Sequence, residues 1–365
     1  MINKLVIKNF KCFGNQVLDF SPLTVLAGGN GAGKSSVIQS LLLLKRSQEI
    51  ANLNLTNIEL NGPYCLELGR ASAVKSSFDG SNLVRLGIAS NDGSEQSFTY
   101  RINEDLTPLT LEIIATERNN EKKWNHFRYL NAERIGPRKS QLMQATTDLD
   151  VGYKGEFTYF VLSHADTLNR VLPPELMSQP HSGRFSAQVE AWLQTIIPRI
   201  ELKSEVFHDI NVATIKFRSG DSGTDFYMPP ATGFGITYVL PIVVAGLLAS
   251  TEPGCIFIVE NPEAHLHPFG QSSIGKFLAL LSFYSETQII IETHSEHVIN
   301  GIRLQSAFLN NTDNLIINFF SHEEGVINPK IINVNKYGEL SSWPKGFLDQ
   351  EKIDLRQLLE FKRNV

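Results

Sequence analysis

Residues Gly28 to Ser36 read GGNGAGKSS and fit the phosphate-loop pattern G-x-x-x-x-G-K-[ST], with Gly28, Gly33, Lys34 and Ser35 in its fixed places. Across Gly28, Gly29, Asn30, Gly31, Ala32 and Gly33 the side chains are mostly small, so successive backbone N–H groups can curl around a polyphosphate. Lys34 then supplies a point charge to the β and γ oxygens, and Ser35 a hydroxyl to Mg²⁺. The flanks constrain the fold as well. Leu23 to Ala27 is an apolar run suited to a buried strand, and after Ser36 the residues Val37, Ile38, Leu41 and Leu42 share one helical stripe up to Lys45. Strand, glycine loop and helix N-terminus follow in the order an anion site needs, which predicts an α/β fold of the P-loop NTPase kind.

At 365 residues and 42% hydrophobic content the chain can bury a large core, as one domain with an insertion or as two smaller ones. Three cysteines, Cys12, Cys65 and Cys255, are an odd count without metal spacing, so a disulfide framework is not expected and a cytoplasmic location is. The opening MINKLVIKNF lacks the apolar core of a signal peptide, and no stretch reaches the roughly 18 apolar residues of a membrane span. The net charge of −5 gives no overall attraction to nucleic acid.

Up to about Tyr129 the apolar residues mostly alternate, as in Leu5 and Ile7, Leu66 and Leu68, Val84 and Leu86, and Leu111 and Ile113. With turn clusters at Ser76 to Asn82 and Asn91 to Ser94, this predicts hairpins in a mixed-sheet lobe beside the phosphate-binding core. YLNAERIGPR, Tyr129 to Arg138, sets Glu133, Arg134 and Arg138 around a Gly-Pro turn, where the charges either reach a phosphate or a partner or form surface salt bridges. From Ser140 to Pro230 the sheet rhythm is lost. Val189, Trp192, Leu193, Ile196 and Ile197 fall at helical spacing before Pro198, which predicts a mainly helical insertion. A short hairpin is expected after it, with Ala213, Ile215 and Phe217 alternating into a turn at Ser219 to Gly223. No heptad run long enough for an extended coiled coil is present, which excludes a long-armed architecture.

Ala231 to Ser250, ATGFGITYVLPIVVAGLLAS, sets Gly233 and Gly235 before an apolar helix, a second N-terminus able to hold an anion or simply capped by glycine. Cys255 to Val259 is a continuous apolar strand running into Glu260, Asn261, Pro262 and Glu263, and a carboxylate at such a strand end can hold Mg²⁺. Glu263, His265 and His267 also invite a zinc reading, against which stands the want of a fourth ligand. Gln288 to Ile291 is another apolar strand and ends in Glu292, Thr293, His294 and Ser295, where His294 either senses a γ-phosphate or caps the next helix. Leu315 to Phe320 and Val326 to Val334 read as closing strands. WPKGFLD, Trp343 to Asp349, offers Trp343, Pro344 and Phe347 as a packing clasp or a docking motif before a short amphipathic helix to Phe361.

Taken in order, GGNGAGKSS, GFGIT, IVENPEAHLHP and IETHS resemble the Walker A, signature, Walker B with D-loop, and switch-histidine motifs of SMC/RecF-like ABC ATPases. IKNFKCFG and NPEAHLHP look most like compact bacterial AAA ATPases related to the ATPase part of OLD-family proteins and to antiphage-defence ATPases. WPKGFLD is similar to a C-terminal domain of unknown function in one branch of them. Both ends of the chain carry the resemblance, and the stretches 50–125 and 140–225 hardly do. It implies an ABC-type ATPase head with a mixed β-sheet lobe and a helical insertion. On that plan 1–139 is the first half of the head, 140–230 the insertion, 231–320 the second half and 321–365 a tail domain.

The resemblance also implies ATP and Mg²⁺ as ligands, with Asn30 to Ser36 on the phosphates, Lys34 on the β and γ oxygens, and Ser35 with Glu260 on the magnesium. Gly233, Gly235 and Thr237 become the signature turn that reaches the nucleotide of the opposite subunit. His267 lies where the D-loop crosses the dimer axis, and His294 senses the γ-phosphate. Glu260, Asn261, Glu263 and His294 are then the catalytic group. Two departures stand out: the signature is not a full LSGGQ, and Asn261 occupies the place of the usual second carboxylate, which implies slow hydrolysis.

A transporter ATPase is disfavoured by the short signature and the HLHP stretch, and a complete OLD-type nuclease by the lack of room after the ATPase core. The expected partners are a second copy, as a homodimer or higher oligomer through the ATP sites, and a separate effector, a nuclease, regulated or scaffolded in antiphage defence. The other class is a repair or maintenance ATPase acting directly on DNA, which the charge balance does not support.

Overall fold

A computed structural model describes all residues except 79, 105–106, 120–123, 125, 145–147, 169, 179–181, 221–224, 232, 324–325, 345, 348–349 and 364–365. β1 (Ile2–Phe10) and β2 (Phe13–Asp19) form a hairpin, after which the chain enters β3 (Leu23–Gly28), the phosphate loop and α1 (Lys34–Asn52). β4 (Asn57–Glu59), α2 (Ala71–Val74), β5 (Leu83–Ser90), β6 (Glu95–Arg101), β7 (Thr110–Asn119) and β8 (Phe127–Leu130) follow. An antiparallel sheet of order β2-β1-β5-β6-β7-β4 results. Leu5, Ile7, Val84, Leu86, Leu111 and Ile113 are all buried in it, as their alternation requires, whereas Leu66 and Leu68 are buried outside the strands.

β9 (Gln141–Leu142), α3 (Thr158–Thr167), α4 (Phe185–Ile196), β10 (Ile200–Phe207) and β11 (Val212–Ser219) occupy the segment expected to be mainly helical. Its two helices therefore share it with a three-stranded sheet of order β10-β11-β9. Ile200, Leu202 and Val206 alternate onto the core, a period-2 signal that the neighbouring helical stripe of α4 overshadows. The hairpin turn lies before Ala213, at His208–Ile210 and Asn211, whose φ of 53° suits asparagine. The turn expected at Ser219 to Gly223 falls partly outside the described residues, and beyond it Tyr227 exchanges backbone hydrogen bonds with Phe217 at 2.7 and 2.9 Å.

α5 (Phe234–Ala249), β12 (Ile256–Glu260), α6 (Pro268–Tyr284), β13 (Gln288–Thr293), α7 (Glu296–Phe308), β14 (Leu315–Glu323), β15 (Val326–Asn333) and α8 (Gln350–Arg363) complete the order. The central sheet runs β15-β14-β3-β13-β12-β8, parallel except for β15. Its core strands are apolar without alternation because both faces are covered. Val25, Phe257, Ile291 and Ile317 pack on one side with α3 to α7, and Leu26, Ile258, Ile290 and Phe320 on the other with α1 and the antiparallel sheet. The buried Gln288 side chain ties the two sheets, accepting from Ile2 N at 2.8 Å and donating to Ile2 O at 2.7 Å.

The boundary expected at 320/321 falls inside β14, which pairs with β3 from Leu315 to Phe320, so the C-terminal stretch is continuous with the central sheet. Phe347 is buried, its ring centroid 5.0 Å from that of Phe319 and 5.7 Å from that of Trp343, which is the clasp arrangement. Residues 345, 348 and 349 of that motif lie outside the described residues. The longest described helix, α1, has 19 residues, and no described helix is long and apolar enough to cross a membrane.

Candidate nucleotide site

Parallel strands present their C-terminal ends along one edge, where a crevice for a ligand opens. β3 delivers the phosphate loop there, β12 delivers Glu260, and β13 delivers Glu292 and Thr293. Gly28 has φ 143° and a Cβ on it would stand 2.2 Å from the Phe320 carbonyl oxygen; Gly33 has φ 95° and a Cβ on it would stand 2.9 Å from the Phe13 ring. Only glycine fits both places. α1 begins at Lys34 with no acidic residue in its first turn, which leaves its positive end for an anion.

The Lys34 ammonium donates to the carbonyls of Gly28 at 2.9 Å and Gly29 at 2.7 Å. Burial pushes its pKa down, with Glu292 and Glu263 pulling the other way, so a polyphosphate would further stabilise its charged form. A cavity of about 320 Å³ opens over the loop, lined by Asn30 to Ser36 together with Lys11, Cys12, Glu292 and His294. Lys11 and Cys12 belong to the IKNFKCFG stretch of the resemblance, which gives them no site role; the β1–β2 turn brings them here.

The carboxylate at Ser35 is Glu292 rather than the expected Glu260. Ser35 Oγ donates to Glu292 Oε1 at 3.0 Å, and Glu260 stands beside Glu292 in register on the next strand. Glu260 Oε1 accepts from the Tyr129 hydroxyl at 2.6 Å; burial, then the Glu292 charge, push its pKa up to about 7. Burial also raises Glu292, against the pull of Ser35 and Lys34. Its Oε2 is buried and has no hydrogen-bond partner. Two carboxylates and a hydroxyl around an unpartnered oxygen are hard donors of the kind Mg²⁺ takes beside a nucleotide, so the residues fit that ion. Among the described residues no three His, Cys, Asp or Glu gather as a metal group, so the zinc reading of Glu263, His265 and His267 falls.

Glu263 accepts from Thr293 Oγ1 at 2.7 Å and from the His294 N–H at 2.8 Å, so each of its oxygens is engaged. His294 stands at the cavity wall, and partial desolvation followed by the Lys34 charge lower its pKa below the usual histidine value. The cap of α7 is Ser295, which accepts from Val298 N at 3.1 Å, so His294 is not held by a capping role.

Asn261 sits at φ 43°, its N–H donating to the Glu292 carbonyl at 2.8 Å and its Oδ1 buried without a partner. Arg134 corrects both readings of its charge, since it reaches neither surface nor phosphate. It is 2% exposed and donates to the carbonyls of Asn131, Glu260 and Asn261 at 3.0, 2.7 and 2.6 Å, with its guanidinium 5.5 Å from the Tyr238 ring of α5. Nothing in its local sequence separates it from Glu133, which is exposed and pairs with Lys154 at 2.9 Å.

Gly233 caps α5, and a Cβ on Gly235 would stand 2.7 Å from the His265 carbonyl oxygen, so this turn is packed on the stretch after β12. Thr237 does not face outward as expected: it is 5% exposed and its hydroxyl donates to Phe234 O at 2.9 Å. The outward groups are Gly233, Phe234 and His267, the last capping α6. Of these, Gly233 and His267 border a second cavity of about 400 Å³, together with Gly235 and His265, and it shares no residue with the cavity over the phosphate loop.

Sheet, loop and strand-end carboxylates define a P-loop ATPase head with the fold of Smc head domains. Residues 1–144 and 96–299 match the model of the AAA ATPase domain, and the chain belongs to that family. Residues 311–358 match a model of a protein of unknown function, DUF3696. An Smc head domain with an extended coiled coil, derived from Pyrococcus furiosus and bound to the C-terminal domain of ScpA, is similar with TM-score 0.52 and 13% identity over 99% of each chain. An Smc head bound to the C-winged helix domain of ScpA has TM-score 0.51 and 14% identity over 92% of this chain and 98% of that one. These likenesses show the fold. No curated protein matches the chain.

Proposed function

We propose that this chain binds Mg²⁺-ATP between the phosphate loop of one copy and the Gly233–Gly235 turn of a second, hydrolyses it slowly, and uses the closed pair to regulate or scaffold a separate effector. The effector that the family resemblance favours is a nuclease acting in antiphage defence, in the cytoplasm. The carrying observation is the pair of incomplete sites. One cavity has the phosphate loop, Lys34 and His294 but no signature turn, and the other has a glycine-led helix N-terminus but no phosphate loop.

In this reading Lys34 and the start of α1 hold the phosphates, Ser35 and a strand-end carboxylate hold the cation, and His294 hydrogen-bonds the γ-phosphate. A divalent cation there would draw charge from the β and γ oxygens. Asn261 cannot take a proton from water, and Glu263 is already engaged on both oxygens, which supports slow turnover. Direct DNA binding has weaker support. Lys4, Lys8, Arg85 and Arg118 border a cleft of about 450 Å³ on the antiparallel sheet, but Glu95 and Glu117 border it too and Glu117 pairs with Arg85.

Gly233→Arg tests the pairing. Gly233 has φ −68° and open space around it, so arginine fits the single chain and obstructs only a second copy. Light scattering is expected to show an ATP-dependent doubling of mass in the wild type that the variant lacks, while the variant still binds nucleotide, more weakly, through its own phosphate loop. The same ATP-dependent mass in both proteins, or none in either, sinks the paired site.

A further inference from the structure

We infer that Glu292, rather than Glu260, is the carboxylate that directly ligates the nucleotide's divalent cation, together with Ser35. The inference rests on the proposed ATP binding and names the metal ligand within it.

Glu260 and Glu292 end neighbouring parallel strands, yet their surroundings differ. Glu260 is held by the Tyr129 hydroxyl at 2.6 Å and by the Ala132 N–H, and its main-chain carbonyl is gripped by Arg134. It does not border the cavity over the phosphate loop. Glu292 does border it, is 4% exposed, and reaches the hydroxyl of Ser35 with one oxygen while the other has no partner. A buried carboxylate oxygen without a hydrogen bond costs free energy that a ligand with positive charge offsets. The Ser35 hydroxyl is the metal-facing group of the loop, so an ion bound to it lies within reach of the carboxylate already touching it. Glu292 also supplies, from β13, a negative charge that Asn261 withholds at the end of β12.

Mn²⁺ binding followed by electron paramagnetic resonance, in the presence of ATP, separates the two carboxylates without relying on turnover. Glu292→Gln keeps the size and one acceptor oxygen for Ser35 but loses the charge, and Glu292→Asp keeps the charge on a shorter arm. Mn²⁺ affinity is expected to fall at least tenfold in Glu292→Gln, less in Glu292→Asp, and less than threefold in Glu260→Gln. ATP binding measured in EDTA, which reports an intact loop, is expected to stay within about twofold of wild type in all three. Wild-type Mn²⁺ affinity in Glu292→Gln, or a larger loss in Glu260→Gln than in Glu292→Gln, overturns the assignment. A wild type that binds no nucleotide with or without metal overturns the ATP reading itself, and the ligand assignment with it.

Discussion

Lys34→Ala is expected to weaken ATP binding by at least about 100-fold, corresponding to about 3 kcal/mol, the range of one or two charge-assisted hydrogen bonds to phosphate. The ammonium is 3% exposed, and burial already lowers its pKa, so most of the cost of holding a cation there is present before any ligand arrives. Phosphate oxygens would replace the loop carbonyls of Gly28 and Gly29 as its partners, which is why the loss falls on binding more than on folding. Displacement of a fluorescent nucleotide measures the affinity, and a melting curve near that of wild type confirms the fold. Wild-type affinity in the variant would remove Lys34 from the site.

Asn261→Glu is expected to raise steady-state phosphate release by about 10²-fold or more, since a positioned general base typically contributes 10² to 10⁴. Asn261 follows Glu260 directly, where the resemblance places the usual second carboxylate, and its Oδ1 has no hydrogen-bond partner for the exchange to break. The exchange has a cost: the backbone is left-handed at φ 43°, which asparagine tolerates better than glutamate, so stability should drop by about 1 kcal/mol. Faster hydrolysis with a slightly lower Tm is therefore the expected pair of results. Fast wild-type turnover that the substitution leaves unchanged would place the base elsewhere, with His294 the first residue to replace.

Features encoded by near neighbours in the chain were legible before any coordinates. The strand from Leu23, the glycine loop, the helix after it and the apolar strands before Glu260 and Glu292 all follow from short-range pattern. What could not be read was decided by contacts between distant segments. Ser35 and Glu292 are 257 residues apart, and only the β3–β13 pairing brings them together, so the more conspicuous Glu260 attracts the assignment. Arg134 looks like its exposed neighbour Glu133 until β12 closes over it and its guanidinium meets two main-chain carbonyls. Thr237 fits the motif by position, but the helical turn of α5 points its hydroxyl back at Phe234. The strand β10 was obscured because a single amphipathic helix beside it set the expected rhythm of that stretch, whereas the alternation of Ala213, Ile215 and Phe217 marked β11.

Titration calorimetry of the wild-type chain with ATP in magnesium buffer tests the central claim most directly. The expected result is saturable binding of one nucleotide per chain that ADP competes away, as a single phosphate loop on each chain requires. Heat that never saturates, or binding that ADP does not displace, would contradict a nucleotide site at Gly28 to Ser36.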